Sequence, residues 1–320
     1  MRISAGIKTI IDQAFEKKRC FYGTTHSERR AMLNLARDGE LKRTYCNTYM
    51  TARQWDELVP PDRVLYTARS LGVRHTQWVF AGHIAAAAHE IDHPWRIHDG
   101  TVVIAVSCSP TVRPSSRLRR VYAPRVVSCT KSGITVTTIE RTLIDCALMY
   151  SLQDVLPMFD SALRKEATTK EAILQECDSL RRDVGGVLRA LHYADARSEN
   201  GGESECRAVI IEAGFMVPEL QVEFNIDGII KRADFVWRLP DGRVIVLEFD
   251  GMQKYADPDM TNHRSIKQVV VDERNREDML KSAGVTDIIR TDYAEVTARA
   301  PLIAKLTSAG VPRVPSLWPA

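Results

Sequence analysis

The chain has 320 residues, 44% of them hydrophobic and 27% charged, with a net charge of only +3. That length fits about two or three domains whose cores are large enough to stand without staples. The seven cysteines (Cys20, Cys46, Cys108, Cys129, Cys146, Cys177, Cys206) are odd in number, scattered and never in a C-x-x-C pair, which argues against a zinc site or disulfide framework and for reduced thiols in a cytoplasm.

Residues 3–17 read as an amphipathic helix and not as a signal peptide, because Asp12 and Glu16 fall inside the apolar pattern. Residues 27–39 read as a second helix, with Ser27 or Thr25 as N-cap, apolar Met32, Leu33, Leu35 and Ala36, and Gly39 as the stop. Residues 40–50 then alternate like a small β-wing. Helix, helix, wing over residues 1–58 is the order of a winged helix-turn-helix, whose second helix enters the major groove while the wing meets phosphates. Arg29, Arg30, Lys42 and Arg43 are the candidate nucleic-acid contacts. A solvated basic face on a protein-interaction module is the plainer alternative. Residues 1–196 carry 28 Lys/Arg against 21 Asp/Glu, whereas residues 197–320 carry 16 against 20. A basic front and an acidic back suit DNA docking by one part and metal chemistry in the other.

The middle, residues 59–195, mixes helical and strand patterns. Thr137 or Thr138 can cap a helix whose Arg141 and Asp145 lie one turn apart and can pair as a structural brace. His89–His93 match H-E-x-x-H literally, yet Pro94 ends any helix that would present both rings, so a zinc helix is not expected. A polar, Gly-containing linker is expected around residues 189–202. No run of about 18 apolar residues occurs, so no membrane span is expected.

Residues 196–320 hold the most informative stretch, ADFVWRLPDGRVIVLEFDGMQKY from Ala233 to Tyr255. The order expected is a helix from 203 to 214, strands at 221–230, 231–239 and 243–249, a helix over 273–284 and a strand at 286–290. Pro240-Asp241-Gly242 supplies the turn that lays the Asp234 strand beside the Glu248 strand. Val244, Val246, Glu248 and Asp250 should share one face of the third strand and Ile245, Leu247 and Phe249 the other. Carboxylates ending so apolar a strand are costly to desolvate unless compensated, and a hard divalent cation takes oxygen ligands. Carboxylates fraying into solvent are the bland alternative. Residues 256–269 could form a flap or a disordered insertion.

Two resemblances follow. Residues 198–296 resemble the Vsr-like, DUF559-type branch of the PD-(D/E)xK nucleases, through Glu203 or Glu205, Asp234, Glu248-Phe249-Asp250-Gly251, Lys254 and Glu273-Arg274-Asn275-Arg276-Glu277-Asp278-Met279-Leu280. The motif lysine is replaced by Asp250. The resemblance implies Mg²⁺ or Mn²⁺ held by Asp234 and Glu248, with Asp250 as a further ligand or water-orienting base. Glu203 or Glu205 would complete the site, Lys254 would stabilise charge on the phosphate, and Arg274 and Arg276 would hold the DNA backbone. Residues 78–91 and 133–147 resemble the central domain of AbiEi-type antitoxins, although His89-Glu90 stands where H-G is usual and the wing lacks R-G-V-Y. The fold class expected is therefore α/β (α+β), with a winged helix, a mixed central domain and a nuclease-like C-terminal domain. The function expected is a cytoplasmic, DNA-associated, metal-dependent nuclease. Its alternative is an autorepressor of a toxin operon promoter whose nuclease module is inactive.

Overall fold

Thr25 starts the second helix as a capping box, accepting the Glu28 N–H while the Glu28 carboxylate takes the Thr25 N–H at 3.1 Å. The computed structural model describes residues 4–108, 117–250 and 266–315, with the side chains of the last stretch described from 274 onward. The chain divides into two units, Met1–Tyr150 with Ala167–Leu188 and Ser151–Glu166 with Arg189–Ala320. Among the described residues no helix is long and apolar enough to cross a membrane.

In the first unit, α1 (Ala5–Glu16), α2 (His26–Arg37) and an antiparallel hairpin of β1 (Leu41–Tyr45) and β2 (Thr48–Thr51) enclose a small core. Ile7, Ile11, Met32, Leu35, Leu41 and Tyr49 fill it, so helical and strand periods converge on one apolar centre. There follow α3 (Ala52–Glu57), α4 (Pro60–Arg74), β3 (Val79–Phe80), α5 (Gly82–Ala88), β4 (Val102–Val106), β5 (Leu118–Tyr122), β6 (Ser128–Lys131), β7 (Ile134–Thr137) and α6 (Ile139–Ala147). The strands form one mixed sheet in the order β5-β4-β3-β7-β6. Leu65 and Leu71 of α4 and Ile84 of α5 pack on Phe80, Ile104 and Val136 of that sheet. Arg141 and Asp145 make the buried ion pair expected at 2.9 Å, and Arg141 also donates to the Tyr122 carbonyl at 2.6 Å.

The helix α7 (Leu152–Arg164) belongs to the second unit, α8 (Lys170–Cys177) to the first, and the boundary falls inside α9 (Gly185–Tyr193). In the second unit come α10 (Gly201–Glu212), β8 (Glu219–Ile226), β9 (Ile229–Arg238), β10 (Val244–Asp250), α11 (Ile266–Ser282), β11 (Asp287–Asp292), α12 (Tyr293–Ala298) and α13 (Ala300–Ser308). The sheet order is β11-β10-β9-β8, with β8, β9 and β10 antiparallel and β11 parallel to β10. Helix, three strands, helix, strand is the order expected. The two faces of β10 are also as expected: Ile245, Leu247 and Phe249 join one core with Val209 and Ile210 of α10, while Val246 joins a second core with Leu280 of α11.

Three boundaries need correction. The first two strands do not abut at 230/231 but are joined by a two-residue turn at Asp227 and Gly228, at φ 49° and 84°. Two left-handed residues in a row match the right-handed twist of a hairpin, which is why Asp-Gly serves there. α11 begins at Ile266, so the last residues of the 256–269 loop are helical, and 256–265 lie outside the described residues. Residues 189–193 of the expected linker are likewise helical.

Two helices of the second unit are joined by charge. Arg207 of α10 donates to Asp160 of α7 at 2.6 Å with both side chains almost wholly buried, and again to the Tyr193 carbonyl. Burial pushes the Asp160 carboxyl up, and the Arg207 charge opposes this.

Candidate functional site

The site begins where the β8–β9–β10 ladder changes character. Leu220 pairs with Phe235 and both enter the core under α10; Val222 pairs with Ala233 and both enter the core under α11. The two faces therefore exchange at Gln221 and Asp234, which stand opposite each other between those pairs. Gln221 makes the exchange possible by adopting φ 52°, a left-handed conformation that a side chain other than glycine rarely takes. Such strain persists only where its surroundings hold it, and it concentrates at functional sites.

On the other side of β9, ladder pairing with β10 ends at Leu247↔Phe235. One step further the register sets Asp234 opposite Glu248. There the Asp234 side chain replaces a ladder carbonyl, its Oδ2 accepting the Phe249 N–H at 2.9 Å. Gln221, Asp234 and Glu248 thus lie in a row across three adjacent strands.

Glu203 reaches this row from α10. Its position three residues into the helix is fixed by Asn200, which accepts the Glu203 N–H at 3.0 Å and donates its amide to Glu203 Oε1 at 2.6 Å. Glu203 Oε2 accepts from the Glu199 N–H at 2.9 Å and from Gln221 Nε2 at 3.1 Å. The same Gln221 Nε2 lies 3.5 Å from Asp234 Oδ1. One amide therefore spans two carboxylates. Burial, with the Asp234 charge adding to it, lifts the Glu203 carboxyl to about 7. Gln221 Oε1 is buried without a hydrogen-bond partner. Gln221 was not legible beforehand, since a glutamine at the head of an alternating run reads as a solvent-facing residue.

Glu248 turns to the other helix. Arg276 of α11 meets its Oε1 through Nε at 2.9 Å and through Nη2 at 2.7 Å, and Nη2 also donates to the Arg232 carbonyl at 2.7 Å. Arg232 in turn pairs with Glu199.

The expected site residues are distributed as follows. Asp234 and Glu203 are brought together, while Glu248 is held by a guanidinium. Glu205 is buried on α10, two positions from Glu203 and so on a different helical face. Asp250 ends β10 opposite Asp292 of β11. Lys254 lies outside the described residues, and Arg274 is exposed on α11. Among the described residues no three His, Cys, Asp or Glu side chains are grouped closely enough to hold an ion as they stand. The donor chemistry nonetheless fits a hard divalent cation: Asp234, Glu203, Glu248 and the orphaned Gln221 Oε1 offer only oxygen.

In the first unit, Arg29 is exposed but folded back on the preceding loop, donating to the Gly23 and Thr24 carbonyls at 3.1 and 3.2 Å. Arg30, Lys42 and Arg43 are exposed. His89 and His93 diverge: α5 ends at Ala88, His89 Nε2 bonds the Thr137 carbonyl at 2.8 Å, and His93 Nε2 meets His98 Nε2 at 2.9 Å.

Two curated proteins are similar to part of this chain. They are uncharacterized protein Rv2248 and uncharacterized protein MT2308, from two strains of Mycobacterium tuberculosis, each 31% identical over 150 residues, or 46% of this chain and 50% of theirs. The match spans about half the length of these relatives. No family model and no solved structure matches the chain.

Proposed function

We propose that the second unit is a PD-(D/E)xK-type nuclease module that hydrolyses DNA phosphodiester bonds with Mg²⁺ or Mn²⁺, and that the helix–helix–hairpin module at the N-terminus docks on DNA. The observation that carries the reading is the row of Gln221, Asp234 and Glu248 with Glu203 above it, set where the sheet's faces exchange. Glu203, Asp234 and Glu248 would hold the cation, with Asp250 and Lys254 at the end of the same strand and beyond it. Such a cation lowers the pKa of a bound water and neutralises charge developing on the phosphate. The chain's own part is to place oxygens on one line, exclude water around Glu203, and supply Arg276 and Arg274 as guanidiniums for phosphate oxygens.

Plasmid cleavage in Mg²⁺ and in Mn²⁺ tests this. Asp234→Asn keeps an acceptor for the Phe249 N–H while removing the charge, so it should abolish cleavage with the fold intact. Cleavage by Asp234→Asn and by Glu248→Gln at the parental rate would remove the assignment. One observation favours a second reading, a DNA-binding repressor with an inactive nuclease-like module: Glu248 is already neutralised by Arg276. A specific gel shift on the DNA upstream of its own gene, with no cutting in either metal, would favour the repressor.

A further inference from the structure

The first unit contains a cavity of about 290 Å³ walled by the hairpin strand β1, α3, α4 and the segment around Trp95. Arg43, Arg63 and Arg117 line it, against one carboxylate, Asp99. Asp99 is engaged in its own turn, accepting the Thr101 N–H at 2.8 Å. Two of the guanidiniums are fixed in place. Arg63 lies 5.0 Å over the Trp55 ring and donates to the Trp55 carbonyl at 2.8 Å. Arg117 lies 5.4 Å over the Tyr45 ring and donates to the Thr44 carbonyl. The contacts of Arg63 use only part of its guanidinium's five donors.

Like charges drawn to one cavity repel one another, and an anion shared between Arg43 and Arg63 relieves that repulsion. Planar guanidiniums match phosphate oxygens in pairs, and arginine is the residue used for that purpose. The same cavity carries a flat apolar surface. Trp95 is 54% exposed at its wall, an unusual position for the largest side chain. An open indole stacks on any nucleobase, because every base has a flat π-face. Free phosphate would use the arginines and ignore the indole; an apolar ligand would do the reverse. A small phosphate-bearing aromatic compound uses both, and about 290 Å³ lies close to the lower end of ligand-sized clefts.

We propose that this cavity binds a single nucleotide, its phosphate held by Arg43 and Arg63 and its base stacked on Trp95. The nucleotide can be free or can be the 5′-phosphorylated end of a nucleic acid; the recognition chemistry is shared. The site is independent of the carboxylate row and stands whether or not the second unit cleaves DNA.

Calorimetric titration of the full chain with AMP, GMP, CMP and UMP should give saturable binding to at least one of them. Arg43 and Trp95 are exposed, so Arg43→Ala and Trp95→Ala should fold normally, and each should weaken binding by about tenfold or more. Inorganic phosphate and the matching nucleoside should each bind far more weakly than the nucleotide. A 5′-phosphorylated single-stranded oligonucleotide that competes, with the same sensitivity to both variants, assigns the ligand to a nucleic-acid end; failure to compete assigns it to a free nucleotide. The proposal is overturned if neither mononucleotides nor the oligonucleotide saturate, if phosphate alone matches the nucleotide, or if both variants bind as the parent does.

Discussion

Arg276 holds Glu248 through two nitrogens on a single carboxylate oxygen, at 2.9 and 2.7 Å. In the nuclease reading this guanidinium stands in the place of the cation as Glu248's counter-charge. A cation that binds Glu248 must then displace it, and the freed guanidinium becomes available to phosphate. Arg276→Ala should therefore raise Mn²⁺ affinity by roughly tenfold, the equivalent of one charge-assisted hydrogen bond, while lowering the cleavage rate. Titration calorimetry with Mn²⁺ in the absence of DNA checks the first half; unchanged or weaker affinity would show that the pair does not compete.

The Glu203 carboxyl, raised to about 7 by burial and then by Asp234, ties stability to pH. Its folded pKa lies above its unfolded value, so the native state keeps a proton that the unfolded chain releases. The resulting stabilisation is complete below about pH 4.5 and is lost as pH rises toward 7. Glu203→Gln cannot titrate, so denaturant curves from pH 5 to 8 should flatten by about 2–3 kcal/mol relative to the parent. Mn²⁺, if bound there, competes with the same proton, and its affinity should climb through this pH range.

Gln221 separates backbone strain from side-chain chemistry. Glycine accepts φ 52° freely, so Gln221→Gly should keep stability within about 1 kcal/mol of the parent while removing the bridge between Glu203 and Asp234. A β-branched residue fits that conformation poorly, and Gln221→Val should cost about 1–3 kcal/mol. Equal denaturation midpoints for the two variants would contradict the strained backbone.

Asp160 and Arg207 are buried together, and removing one leaves the other charged without a partner. Asp160→Ala should destabilise the second unit by about 3–5 kcal/mol, measured by urea denaturation. Replacing both residues by apolar side chains of similar volume should recover most of that loss.

The sheet of the second unit was legible because its signals are local. Pro240-Asp241-Gly242 marks a turn, and the alternation from Val244 to Asp250 assigns two faces that the cores on either side match. The Arg141–Asp145 brace was legible for the same reason, as a helical spacing. Asp227-Gly228 carried an equally strong hairpin signal, but the apolar Ile229 and Ile230 after it masked the break. The roles within the site were not legible. Glu203 and Glu205 are equivalent in spacing, and only the direction of α10 decides which meets the row. Nothing in a one-dimensional pattern shows that two strands exchange faces at Gln221, because the exchange depends on one backbone angle.

The acceptor that Asp234 offers to the Phe249 amide has an evolutionary consequence. On the proposed nuclease reading, a descendant that had given up chemistry would still need an oxygen there to finish the sheet, so an aspartate or asparagine should outlive the activity. Glu203 and Gln221, each set in the interior at an energetic disadvantage, have less reason to persist once nothing is turned over. Relatives that keep all three are the ones in which to look for cutting, and those retaining the aspartate alone are the ones to test as silent readers of DNA.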